Sequence, residues 1–243
     1  MFFCPIIPHD RGVAARARDK RKAIAGIFWI LDNGAKWKDL PSAFGTKSSV
    51  HRAFQRWVRS GAFAVLLAAV GSIVQERKGF KLYECYLDGT FAQAKGGGDG
   101  IGCTKAGQGV KIMMMVDARG LPIAVQTGRA SPHESTLVAP LFDFMVSLDF
   151  PEKLMGDKAY DSDPLDDKLA ALEVEMISPH RSNRKPQNKT QDGRNLRRDK
   201  RRWTVERTIA WLQNYRRLCV RWEKSTIIFQ GFGHSSPARS SAV

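Results

Sequence analysis

The spacing of apolar residues changes near residue 80. In RDKRKAIAGIFWILDNG, Ile24, Ile27, Phe28 and Leu31 recur at three- and four-residue steps, which predicts a helix stopped by Gly34. GAKWKDLPSAFG is short and broken by Pro41 and Gly45. A further helix is expected over SSVHRAFQRWVRSG, capped by Ser48 or Ser49, with Val50, Phe54, Trp57 and Val58 facing inward. Its other face carries His51, Arg52, Gln55, Arg56 and Arg59. A helix, a short turn segment and a basic helix make residues 1–80 a small all-α, helix-turn-helix-like unit. A plain three-helix bundle with a solvated basic face is the alternative.

From Lys81 the pattern turns to strands. KLYECYLDGTF reads as a strand ending at Asp88, and KGGGDGIGCTKAGQG as a mobile Gly-rich loop without phosphate-loop spacing. GVKIMMMVDARGLPIAVQTGR predicts a hairpin turning at Asp117–Gly120. SPHESTLVAPLFDFMVSL has a capping start and an apolar stripe, hence a helix. KLMGDKAYDS is a short strand halting at Asp157, DPLDDKLAALEV a helix, and EMISPHR another strand. A polar, strongly basic link leads to a long helix that begins in RRWTVERTIAWLQNYRR. This order predicts an α/β domain over 81–232, a mixed sheet flanked by helices. GFGHSSPARSSAV has no amphipathic period, so residues 233–243 are expected to be a disordered or frameshifted tail, with the last helix of the domain missing.

Charge narrows the partners. The 243 residues carry 39 Lys and Arg against 24 Asp and Glu, a formal charge of +15. Such a surface attracts polyanions, and DNA or RNA leads; a merely basic or ribosome-associated protein is the alternative. The basic face from His51 to Arg59 then becomes a candidate DNA contact, and Lys95, Lys105, Lys111, Arg181, Arg184, Lys185 and Lys189 are further candidate phosphate contacts. No apolar stretch approaches the ~18 residues of a membrane span, and MFFCPIIPHDRG is too short and Pro-broken for a signal peptide. The expectation is an intracellular protein without a membrane partner. Cys4, Cys85, Cys103 and Cys219 have no zinc-ligand spacing and read as reduced, mostly buried thiols. Trp203, Trp211 and Trp222 read as core or helix-interface residues.

Three acids stand where such a domain does chemistry. Asp88 and Asp157 close strands, where open α/β sheets bind ligands. At about 100° per residue, Arg202, Glu206 and Gln213 share one strip of the final helix, bordering an apolar stripe of Val205, Ile209 and Leu212. Packing that stripe on the sheet aims Glu206 toward the two aspartates. Clustered carboxylates need neutralising, and Mg²⁺ accepts a few carboxylate oxygens together with phosphate and water. Two such ions about 4 Å apart could activate a water or 3′-hydroxyl on a phosphodiester. Each acid also has a structural alternative: Asp88 as a turn residue, Asp157 as a helix cap, Glu206 as the partner of Arg202.

The segments GIFWILDNGAKWKDLPSAFG, YLDGTF, MGDKAYDSDPL and RRWTVERTIAWLQNYRRL, in this order, resemble the DDE transposases of bacterial insertion sequences, in the insertion-sequence-five group. The resemblance implies a ribonuclease-H-like catalytic domain behind a helix-turn-helix-like DNA-binding region. It places the metal ligands and catalytic residues on Asp88, Asp157 and Glu206, with Mg²⁺ or Mn²⁺ as the cofactor. The implied partners are double-stranded DNA, as terminal inverted repeats and as target, and a second copy of the chain when two ends are synapsed. Hydrolytic nicking followed by attack of the freed 3′-hydroxyl is the implied chemistry, in the bacterial cytoplasm at the nucleoid. The family's tyrosine-arginine-glutamate motif is similar here, with Arg202 and Glu206 in register. Asp199 replaces its tyrosine, and Gln213, a DNA-contact candidate with Arg202, replaces its lysine. A non-catalytic, DNA-binding transposase remnant is the competing expectation, and a nuclease without strand transfer is a third.

Overall fold

The computed structural model describes residues 19–185, 187 and 201–240, the stretch 236–240 as backbone alone. Helix α1 (Lys20–Asn33) starts at Asp19, whose carboxylate accepts from the Arg21 and Lys22 amides at 3.0 and 3.2 Å, and stops at Gly34 in the left-handed region. Ala23, Ile27, Ile30 and Leu31 are buried, while Ile24 and Phe28 lie at the edge of the stripe. Two single-turn segments lead to α2 (Lys47–Arg59), whose cap position is Thr46 in place of Ser48 or Ser49. Helix α3 (Ala62–Lys78) completes the helical region.

The sheet combines β1 (Cys85–Ala94), β2 (Gly102–Thr104), β3 (Gly107–Val116), β4 (Pro122–Arg129), β5 (Lys153–Met155), β6 (Glu175–Ile177) and β7 (Val220–Arg221). Strands β4, β3 and β1 run antiparallel in sequence, and β5 and β6 add on in parallel, so the sheet is mixed as expected. The β3–β4 hairpin turns at Asp117–Gly120 as the sequence predicts; the Asp117 carboxylate accepts from the Arg119 and Leu121 amides at 2.9 Å.

Alternation along the strands divides the core into two layers. Tyr86, Ala92, Val110, Ile112, Met114 and Val116 face α1–α3 and the C-terminal helices, whereas Leu87, Met113 and Met115 face the other side. That second side holds the short helices α4 (Val138–Leu141) and α5 (Asp163–Ala170). The C-terminal helices are α6 (Trp203–Gln213), α7 (Arg216–Cys219) and α8 (Thr226–Ser240). Residues of α1–α3 and of the sheet belong to one continuous hydrophobic cluster, so the helical region shares its core with the sheet. Arg217 fastens the two: it donates to Glu223 and to the Ala35 carbonyl just past the end of α1.

Several expectations are corrected. Strand β1 continues six residues past Asp88 and pairs with β3 as far as Gln93. The Gly-rich stretch contains β2 and is pinned: Asp99 accepts from Thr226 and Arg221, and at Gly98 (φ +115°) a Cβ would collide with the Lys224 backbone. The helix expected in SPHESTLVAPLFDFMVSL is split into a turn at Glu134–Leu137, the single-turn α4 and a turn at Phe142–Phe144; Pro140, inside the segment, has no amide to donate to a continuous helix. Residues 233–240 are helical, not a disordered tail, and Phe229, Phe232 and Ser235 are fully buried. The missing period has a physical reason: helix α8 is buried on several sides, so no polar stripe marks it. Cys103 and Cys219 are exposed, and Cys85 alone of the described cysteines is buried. Among the described residues no single helix is long and apolar enough to cross a membrane.

Candidate active site

Asp88 belongs to the face of β1 that α6 covers. Helix α6 lays Val205, Ile209 and Leu212 on the sheet, as the sequence stripe predicts. Its register is fixed at both ends. Arg201 reaches the buried Glu84 at 2.7 Å, and the same carboxylate accepts from Tyr86 at 2.5 Å. At the far end Gln213 donates to Thr90 at 3.0 Å, two residues along β1 from Asp88. The polar strip of α6 therefore runs beside the strand that carries Asp88.

Asp88 and Asp157 are brought together. The Asp88 carboxylate accepts from the Gly89 amide at 2.8 Å, and Asp157 caps the turn Lys158–Tyr160 by accepting from the Ala159 amide at 2.8 Å. Burial pushes Asp88 up to about 6; the Gly89 amide and Arg202 oppose this, and the charges of Asp157 and Glu134 add to it. A half-buried carboxylate beside a second acid suits a divalent cation. The glycine before Asp157 is also required, since a Cβ at Gly156 would collide with the Tyr160 ring folded beneath the turn.

Glu206 sits differently. Its side chain is 53% exposed and pairs with Arg202 at 3.5 Å, the structural alternative read from the sequence. Among the described residues no three His, Cys, Asp or Glu side chains form a ready metal-holding group. Arg202 is thus shared between Glu206 and the field at Asp88. Asp199 and Lys189 lie outside the described residues.

The other candidates differ in exposure and in their contacts. Arg52, Arg56 and Arg59 of α2 are exposed, whereas His51 stacks on Trp37 with ring centroids 4.5 Å apart and Gln55 bonds His51 at 3.2 Å. Lys111 pairs with Glu134 at 3.1 Å. Arg181 binds Asp161 through its amide and the Lys158 and Ala159 carbonyls through its guanidinium, and Arg184 binds Asp161 at 2.6 Å. Among the described residues Lys95, Lys105 and Lys185 meet no acidic partner within ion-pair distance. Trp203 and Trp211 are 53% and 54% exposed with the Arg207 guanidinium against both rings, and Trp222 is also exposed; the core reading of the three is corrected. Helical geometry carried that signal, because Trp203 lies opposite Val205 and Leu212 on the helical wheel and Trp211 lies off their stripe by roughly 100°. Sequence reading missed Glu134 and Tyr160, whose nearness to Asp88 arises from packing between distant segments.

The arrangement β4-β3-β1-β5-β6 with Asp88 on the central strand is a ribonuclease-H-like fold. Its similarity to solved structures includes a piggyBac transposase synaptic complex with hairpin DNA, at TM-score 0.54 and 12% identity over 95% of this chain and 67% of that one. Residues 80–232 match the family described as "Transposase DDE domain", and the chain belongs to that family. Residues 2–67 match a second family, of IS4/5 transposases. A curated relative, named as the transposase for insertion sequence element IS402 of Burkholderia cepacia, is 31% identical over 136 residues, covering 53% of this chain and 60% of the relative. The chain thus spans less than two thirds of that relative's length.

Proposed function

We propose that the protein is an insertion-sequence transposase that binds terminal inverted repeats and carries out metal-dependent cleavage and strand transfer. The observation that carries this reading is the convergence of Asp88 and Asp157 beside the α6 strip in a DDE-family chain. Asp88, Asp157 and Glu206 would hold Mg²⁺ or Mn²⁺, and the raised proton affinity of Asp88 fits a site built for a cation. Such a cation supplies Lewis-acid polarisation of a phosphodiester and an activated water or 3′-hydroxyl. The side chains do the positioning. Arg202, between Glu206 and Asp88, is placed to receive a phosphate, and taking one would release Glu206 toward the two aspartates. Gln213, seated on Thr90, offers its amide along the same path. Arg52, Arg56 and Arg59 on α2 supply sequence-independent grip on a duplex. Joining two ends calls for a homodimer on DNA.

The decisive experiment offers the protein a duplex carrying the element's terminal repeat, with Mg²⁺ or Mn²⁺. Wild type should nick it and join the 3′-end to a second duplex. Asp88→Asn and Asp157→Asn should bind the repeat and not cut it. Repeat binding without nicking by wild type would leave the DNA-binding remnant; nicking without joining would leave a nuclease.

A further inference from the structure

A fourth acid adjoins this centre. Glu134 opens the single turn Glu134–Leu137 after β4, which His133 caps by accepting from the Ser135 amide. That turn is bolted to the one Asp157 caps. Arg181 meets His133 at 2.7 Å and donates to the Lys158 and Ala159 carbonyls at 3.0 Å. Lys111, on β3, holds the position from the sheet side, reaching the Glu134 carboxylate at 3.1 Å and the Pro132 carbonyl at 3.2 Å.

Tyr160 supplies an independent sign that this junction is built for a further polar group. Its side chain is fully buried, and its hydroxyl has no hydrogen-bond partner among the described residues. Its amide donates to the Asp157 carbonyl at 3.1 Å and its ring folds against Gly156, which puts the phenol under the turn that carries Asp157. An unpaired buried hydroxyl is costly, so its persistence there marks a place where a polar ligand or its hydration completes the bonding.

We propose that Glu134 is a further acidic member of the centre, acting through its charge on the cation held between Asp88 and Asp157, with Lys111 as the counter-ion that sets the strength of that action. The inference rests on Asp88 and Asp157 being cation ligands. Glu134 is a positioning residue here: its negative field favours the divalent ion, and Lys111 cancels part of that field. Lys111 is thereby an internal partner of the site and not the phosphate contact expected from sequence.

The test titrates Mn²⁺ into the full chain and reads free Mn²⁺ by its electron paramagnetic resonance signal. Glu134→Gln should weaken Mn²⁺ binding on the order of 10-fold. Lys111→Met should tighten it, the opposite sign, because Glu134 is then uncompensated. A merely structural ion pair would give no change in either variant, or weakening in both, and each result would overturn the proposal. Should Glu134→Gln not fold, the sign of the Lys111→Met effect decides alone. Asp88→Asn should abolish binding; Mn²⁺ affinity unchanged in that variant removes the cation reading itself, whereas loss there with no response at Glu134 and Lys111 removes only this inference.

Discussion

Two arginine–glutamate pairs stand a few turns apart in the same basic segment and behave as opposites. Arg217 and Glu223 are buried at 4% and 5% side-chain exposure, 2.5 Å apart, and Arg217 also bonds the Ala35 carbonyl. Arg202 and Glu206 are 3.5 Å apart at 24% and 53% exposure. Removing one partner of the first pair strands a buried charge, whereas the second is open to water and cheap to part. A pair that must stay closed belongs to the scaffold. One that parts easily suits a site that rearranges around a phosphate.

Four results would break or sharpen that contrast. Glu206→Gln should lower metal-dependent nicking on the order of 10³-fold while repeat binding persists, as read by a gel assay of cleaved ends. Nicking near wild-type level would leave the open pair without a catalytic member. Arg217→Met should cost about 3–5 kcal/mol in a denaturant titration, from the uncompensated Glu223. A loss below 1 kcal/mol would mean that the closed pair is no more structural than the open one.

Acid gives a third measure, on the helix next to the closed pair. Burial lowers His234 from its ordinary value of 6.5 to about 4, partly offset by the Val125 backbone. The unfolded chain then binds the proton more readily than the folded one between those values. Stability is therefore full above pH 6.5 and declines as the pH falls through 4, by up to about 3 kcal/mol. Melting temperatures at pH 7 and 4.5 should separate more in wild type than in His234→Gln. Arg202→Met is the smallest effect: a stability change below about 1 kcal/mol in the same denaturant titration.

How much of this was legible follows the range of the interactions involved. The hairpin and the stripe of α6 rest on local signals, and each was readable. Asp157 was placed correctly past a short strand, because β5 stops at Met155 two residues before it. The end of β1 was not, since Asp88 through Gln93 are held as strand by partners in β3 that no local pattern reveals. Helix α8 escaped because Gly231 lies against Val58 and Phe232 against Phe54 and Trp37, so its apolar contacts go around the helix. Nothing near Glu134 in the chain points to Asp88. Only the joined turns bring it there.

The shared hydrophobic cluster under α1–α3 and the sheet has a mechanical consequence. A duplex gripped by α2 would be held by an element that shares its core with the strand of Asp88 and with α6. Alignment of a scissile bond must then come from bending of the DNA or from a second subunit. Repeat sequences that flex easily between grip and cut would be favoured before any base is read.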